Sequence, residues 1–170
     1  YVAILNADDL YTSPHAVAAS VDAIENSGAD ASFADLAYVD SRTPPRVVRV
    51  WRAGPGSRRS FYWGWMPPHP TIVARRRVYE TSGTYRVDHG TAADYEWMIR
   101  AFVKHRFALC YVPETLVHMR AGGASNVSLP ARLRANRMDR RAWRLNGLRP
   151  YPWTPALNPL RKRHQFARRA

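Results

Sequence analysis

Two hydrophobic periods organise this chain. Tyr1-Val2-Ala3-Ile4-Leu5 is a short apolar run of β type, and Asn6-Ala7-Asp8-Asp9 follows it directly. Ser13-Pro14 then pairs an N-cap residue with proline at the first helical position, and Val17, Val21 and Ile24 recur at helical spacing until Asn26-Ser27-Gly28. Residues 31–39 read as a strand, residues 40–45 as a proline-containing turn, and residues 46–51 as a returning strand. Residues 53–64, rich in Gly, Ser and Arg, read as a mobile loop. Residues 71–73 predict a short strand, and residues 75–82 a short helix with Gly83 just past its end. Residues 91–103 carry the strongest helical signal, apolar over most of the circumference, so a buried helix is expected. Two further strands are expected over 107–112 and 115–119.

After a Gly-rich loop from Arg120 to Asn126, Pro130 opens another helix that Gly147 closes. Its apolar stripe is Ala131, Ala135, Met138, Ala142 and Leu145, and its basic stripe is Arg134, Arg137, Arg141 and Arg144. Residues 148–170, with several prolines and a basic end, predict no regular structure. Three segments result: a body over 1–130, a basic amphipathic helix over 131–147 and a Pro/Arg-rich tail over 148–170. No internal repeat is visible.

Charge sharpens this division. The net charge is +13, and residues 131–170 hold twelve basic residues against the single acid Asp139. The body is therefore nearly balanced and the C-terminal part is a cationic arm, suited to lipid headgroups, nucleic acid or phosphorylated substrates. A length of 170 residues allows one domain with a substantial core. No run approaches the ~20 apolar residues needed to cross a bilayer. Cys110 is the only cysteine, so no internal disulfide forms; it lies in an apolar strand pattern and reads as core. Because the chain opens on Tyr inside a strand pattern, the expectation is a fragment that lacks an N-terminal part.

The candidate chemistry is mostly acidic. Asp8 and Asp9 follow a strand, the edge on which open α/β sheets bind ligands. A hard cation needs only one or two carboxylates when substrate phosphates complete its shell. A solvated Asp-Asp turn capping the next helix remains the simpler reading of the pair alone. Asp94 sits in the first turn of the buried helix, either as half of a capping box with Thr91 or as a general base. Glu96 points to a different face. His69, between Pro68 and Pro70, has a restricted backbone that aims its imidazole, and a plain packing role fits it as well. Trp63, Trp65 and Met66 form an aromatic patch beside it, which is either a sugar-facing surface or a hydrophobic plug. His15, His89, His105 and His164 are isolated. No zinc spacing, nucleophile elbow, Walker loop or dinucleotide loop is present.

Taken in order, Leu5-Asn-Ala-Asp-Asp-Leu-Tyr11, Trp63-Gly-Trp-Met-Pro-Pro-His-Pro-Thr71, Ala92-Ala-Asp-Tyr-Glu-Trp-Met-Ile-Arg100, Val112-Pro-Glu-Thr-Leu-Val117 and Met119-Arg-Ala-Gly-Gly-Ala-Ser-Asn126 resemble the C-terminal two-thirds of a bacterial family 2 glycosyltransferase. The resemblance spans roughly residues 1–148. It implies an incomplete GT-A fold: α/β, Rossmann-like, a mixed sheet flanked by helices. It also implies inverting transfer from a nucleotide-sugar donor to a saccharide or lipid-linked saccharide acceptor in surface-polysaccharide synthesis. Asp8 and Asp9 would then be the donor-side acidic motif, with Asp9 the direct ligand of Mg²⁺ or Mn²⁺. Asp94 would be the catalytic base, and Trp65, His69 and Arg120 would contact the acceptor. Two departures stand out. Ala93 replaces the first acid of the family's Glu-Asp type motif, and Gly122 stands where many relatives have a histidine that approaches the metal.

The missing nucleoside-binding portion implies little or no transferase activity for these 170 residues alone. The resemblance further implies a cytoplasmic protein, peripheral at the inner face of the membrane, with its Arg-rich tail on anionic lipid. The rival readings are a basic nucleic-acid-binding module, resting on the tail with Trp143 and Trp153, and a non-catalytic remnant of a glycosyltransferase.

Overall fold

The structure is a computed structural model. It describes residues 1–121, 129–154 and 157, and the side chains of these except at 91 and 129–135. The chain is a mixed α/β protein with a six-stranded, strongly curled half-barrel sheet and five α-helices among the described residues. The strands are β1 (Val2–Ala3), β2 (Leu10–Tyr11), β3 (Ala31–Val39), β4 (Val47–Trp51), β5 (Val73–Ala74) and β6 (Leu109–Arg120). The helices are α1 (Ala16–Ser27), α2 (Arg58–Tyr62), α3 (Arg76–Ser82), α4 (Ala93–Met98) and α5 (Leu129–Leu145). The sheet order is β1-β5-β3-β6-β2, with β4 also paired to β3.

β3 is the spine because all but one of its nine residues are buried, a pattern that only a central strand covered on both faces can carry. β6 runs parallel to it along its whole length, while β4 and β5 run antiparallel on its other side. The two strands expected over 107–119 are one. Ala34 faces Val112 and Asp35 faces Thr115, so Pro113-Glu114 is an extra pair of residues in β6. Proline has no N–H to give the ladder, and a bulge accommodates it without ending the strand. Asp35 sits at this irregularity, buried. Its Oδ1 accepts the Ala53 amide at 2.8 Å and the Tyr111 hydroxyl at 2.7 Å, which ties β3 to β6 and to the segment after β4.

The helices cover both faces of the sheet. α1 packs Ala16 against Ala34, Val112 and Leu116. The larger cluster, on the other face, joins Phe33 to Phe61, Val78, Trp97, Phe102 and Trp143. The expected buried helix is present, and Tyr95, Glu96, Trp97 and Met98 are all shielded. It starts at Ala93, after a short 3-10 stretch (Val87–Ala92) with a kink at Gly90, and it continues as a π-helical turn over Ile99–Lys104. Its buried Glu96 is satisfied by Arg100 at 2.8 Å and by the Asn146 amide at 2.9 Å, so this carboxylate is a structural link to α5.

Other expectations are corrected. β1 ends at Ala3 because the chain leaves the ladder for a turn at Asn6–Asp9. α1 begins at Ala16 with His15 as its N-cap; Ser13 and Pro14 form the preceding turn, so neither they nor Asp8 and Asp9 cap it. The loop over 53–64 contains α2, started by a Ser57/Ser60 capping box. His69–Thr71 is a 3-10 turn, and the strand begins only at Val73. α5 buries Ala142, Trp143 and Asn146, while Leu145 is exposed, so its inner face is rotated toward Trp143. Residues 148–154 are ordered against the body. Thr154 is buried, its hydroxyl donating to the Tyr62 carbonyl at 2.5 Å. The side chains of Ala131, Arg134 and Ala135, and all of Gly122, Ser125 and nearly all of residues 155–170, lie outside what is described. No helix among the described residues is long and apolar enough to cross a membrane.

Candidate functional site

The acidic turn, the Pro-His-Pro segment and the start of α4 meet at one end of the sheet. The turn closes with the Asp9 amide donating to the Asn6 carbonyl at 3.1 Å, and the Asn6 side-chain amide donates to Asp9 Oδ2 at 2.8 Å. β2 follows at once and pairs Leu10 with His118 and Tyr11 with Val117, which fixes the turn beside the end of β6. There the backbone N–H of Arg120 also donates to Asp9. Adjacent residues face opposite ways: Asp8 is exposed and Asp9 is buried.

Burial pushes the Asp9 carboxyl above its ordinary value of 3.8. The Asn6 and Arg120 donors oppose this, Asp8 adds to the rise, and His69 opposes it. His69 is therefore within electrostatic reach of Asp9. Tyr38 is a further neighbour that sequence reasoning missed. Burial raises its hydroxyl pKa, the Arg49 guanidinium 4.1 Å above its ring opposes the rise, and the Asp9 charge adds to it.

His69 is aimed by its surroundings. The Thr71 hydroxyl lies 2.8 Å from the Pro68 carbonyl and 3.1 Å from the Ala34 carbonyl, and it accepts the Ala34 amide at 3.0 Å. That network pins the Pro-His-Pro turn to β3. The imidazole reaches the start of α4, where His69 Nδ1 lies 3.0 Å from Asp94 Oδ2. Both side chains keep about a quarter of their surface open. Asp94 Oδ1 accepts the Tyr95 amide at 2.8 Å. Ala92 is the N-cap of α4, and the Thr91 side chain, the other half of the capping-box alternative for Asp94, lies outside what is described. Tyr85 lies near enough for the Asp94 charge to add to the burial that raises its hydroxyl pKa.

The structure thus pairs His69 with Asp94 and leaves Asp9, flanked by Asp8 and the Arg120 backbone, within electrostatic reach of His69. The Arg120 side chain is exposed. Trp65 is elsewhere. It is 8% exposed, its ring packs edge-on against Phe33 and Phe61, and its Nε1 donates to the Ala53 carbonyl at 2.9 Å. It is packed in the main core, as the hydrophobic-plug alternative has it. Trp63 is half exposed and lies in tilted ring contact with Tyr151 and Trp153.

Among the described residues no group of three or more His, Cys, Asp or Glu side chains gathers as a metal cage. Asp9 fits a cation only as a half-site: a buried carboxylate that no Lys or Arg side chain pairs with among the described residues, with Asp8 next to it. No protein-family model matches the chain, and no curated protein matches it in sequence.

Proposed function

We propose that this chain carries the acceptor-activating part of an inverting, nucleotide-sugar-dependent glycosyltransferase, acting on a saccharide or lipid-linked saccharide hydroxyl. The contact between His69 and Asp94, within electrostatic reach of Asp9, carries the reading. Asp94 accepts the Nδ1–H of His69 and so leaves Nε2 as the proton acceptor. The Nε2 lone pair takes the hydroxyl proton as the acceptor oxygen attacks the anomeric carbon and the donor diphosphate departs from the opposite face. Asp94 thus acts through His69, with Oδ2 on the imidazole and Oδ1 held by the Tyr95 amide. Thr71 holds the histidine in place. Asp9 is the residue to hold Mg²⁺ or Mn²⁺, with Asp8 flanking. When bound, such an ion supplies charge to offset the departing nucleotide.

The test uses the complete gene product with a panel of nucleotide-sugars. His69→Ala and Asp94→Asn are each expected to lower kcat by roughly 10²–10⁴-fold while nucleotide-sugar binding persists. Normal kcat in both variants would end the reading. A large loss in Asp94→Asn with a near-normal His69→Ala would return the base role to Asp94 alone. For the cation, Mg²⁺ or Mn²⁺ is expected to raise the melting temperature of the wild type and not that of Asp9→Ala.

A further inference from the structure

A second surface lies away from these residues. The end of α5 and residues 148–152 enclose a groove of about 440 Å³ lined by Arg140, Arg144, Leu148, Arg149, Pro150, Tyr151 and Pro152. Three arginines line one hollow, and none of them has a carboxylate partner among the described residues. Arg141, by contrast, is paired with Asp88 at 3.5 Å. Beside the groove three large aromatics stand in the open: Trp63 (50% exposed), Tyr151 (44%) and Trp153 (46%). They are held as a unit. Tyr151 stacks on Trp153 at 5.1 Å, Trp63 lies 5.8 Å from Tyr151 and 6.0 Å from Trp153, and Tyr62 joins the group to buried Trp143. The Thr154–Tyr62 hydrogen bond fixes the segment to the body.

We infer that this groove and the aromatic cluster beside it form a docking surface for an anionic phospholipid membrane. Arg140, Arg144 and Arg149 receive lipid phosphates, and Trp63, Tyr151 and Trp153 sit at headgroup depth. Guanidinium forks match phosphate oxygens bidentately. Exposed Trp and Tyr rings, apolar in body and polar at one edge, prefer the membrane–water interface. Single-stranded nucleic acid would need open ring faces to stack its bases, and the Tyr151–Trp153 stack takes up one face of each of those rings. The inference does not rest on sugar transfer, and it moves the membrane contact expected of the tail onto α5 and residues 148–153.

The test is co-sedimentation of the purified chain with vesicles of phosphatidylcholine, alone or mixed equally with phosphatidylglycerol. The wild type is expected to bind the mixed vesicles and not the neutral ones. Replacing Arg140, Arg144 and Arg149 together by Gln is expected to weaken partitioning by about a hundredfold, at roughly fivefold per basic residue near the surface. Replacing Arg161, Lys162 and Arg163 by Gln is expected to cost clearly less. Trp153→Ser, at an exposed position, weakens binding independently, and wild-type tryptophan emission shifts to the blue on the vesicles. Melting curves show that the variants fold. Equal binding by the groove variant, greater loss from the tail variant, or binding of oligo-dT without binding of mixed vesicles would overturn the inference.

Discussion

A buried carboxylate beside another acid is costly to keep charged, and Asp9 is in that position. Its pKa is raised in the fold, so the folded state holds its proton more tightly than the unfolded chain. The stability that this supplies is fully present below the ordinary carboxylate value of 3.8 and is lost as pH rises through the higher folded value. In metal-free buffer, Asp9→Asn is therefore expected to raise the urea midpoint at neutral pH, with the gain vanishing toward pH ~3. A variant less stable than wild type at neutral pH would mean that the Asn6 and Arg120 hydrogen bonds outweigh the desolvation. The candidate residues were legible in the sequence one by one, because acids after a strand and a histidine between prolines stand out locally. Their pairing was not. The Nδ1–Oδ2 contact between His69 and Asp94 arises from Thr71 pinning one turn to β3 and from Gly90 setting where α4 begins. Both are tertiary facts.

Among the elements, patterning worked where one period ran unbroken. β3 occupies residues 31–39 as expected, and α1 ends at Gly28 in the left-handed conformation that glycine tolerates. It failed where proline or packing decided. Pro113 divided a continuous strand on paper, and on α5 Trp143 is buried beside Ala142 while Leu145 is left exposed, because a large ring gains more from burial than Leu145 does. The segment before α2 has the composition of a mobile loop, yet Gly56 lies against the Trp65 indole, and a Cβ there would overlap the ring. Gly56→Ala is expected to destabilise the fold by about 1–3 kcal/mol, read by denaturant unfolding, since Trp65 is fixed between two phenyl rings and cannot yield. A neutral result would show that the segment can move away.

On the scale of the molecule, the basic helix marked out by charge packs into the core of the body. Ala142 and Trp143 belong to the same cluster as Phe33 and Phe102, and the Trp143 indole donates to the buried Tyr95 hydroxyl at 3.0 Å. Charge follows the outside of α5, while the inner face decides what it joins. Unfolding followed by tryptophan emission and by far-ultraviolet circular dichroism is expected to give one coincident transition. Trp143→Ala is expected to shift both by about 3–5 kcal/mol. A separate early transition for α5 would mean that the helix is an independent appendage.

The spine imposes a schedule on synthesis. β3 leaves the ribosome early, while the strand it pairs with along its full length, β6, emerges only after residues 40–108 have been made. Until then β4 and β5 can cover one side of β3, and the other stays open, a sticky edge on a nascent chain. The three site residues, all encoded before β6, have no fixed relation to one another during that interval. Chaperone supply and translation speed across the middle of the message should govern how much of this protein reaches its working shape.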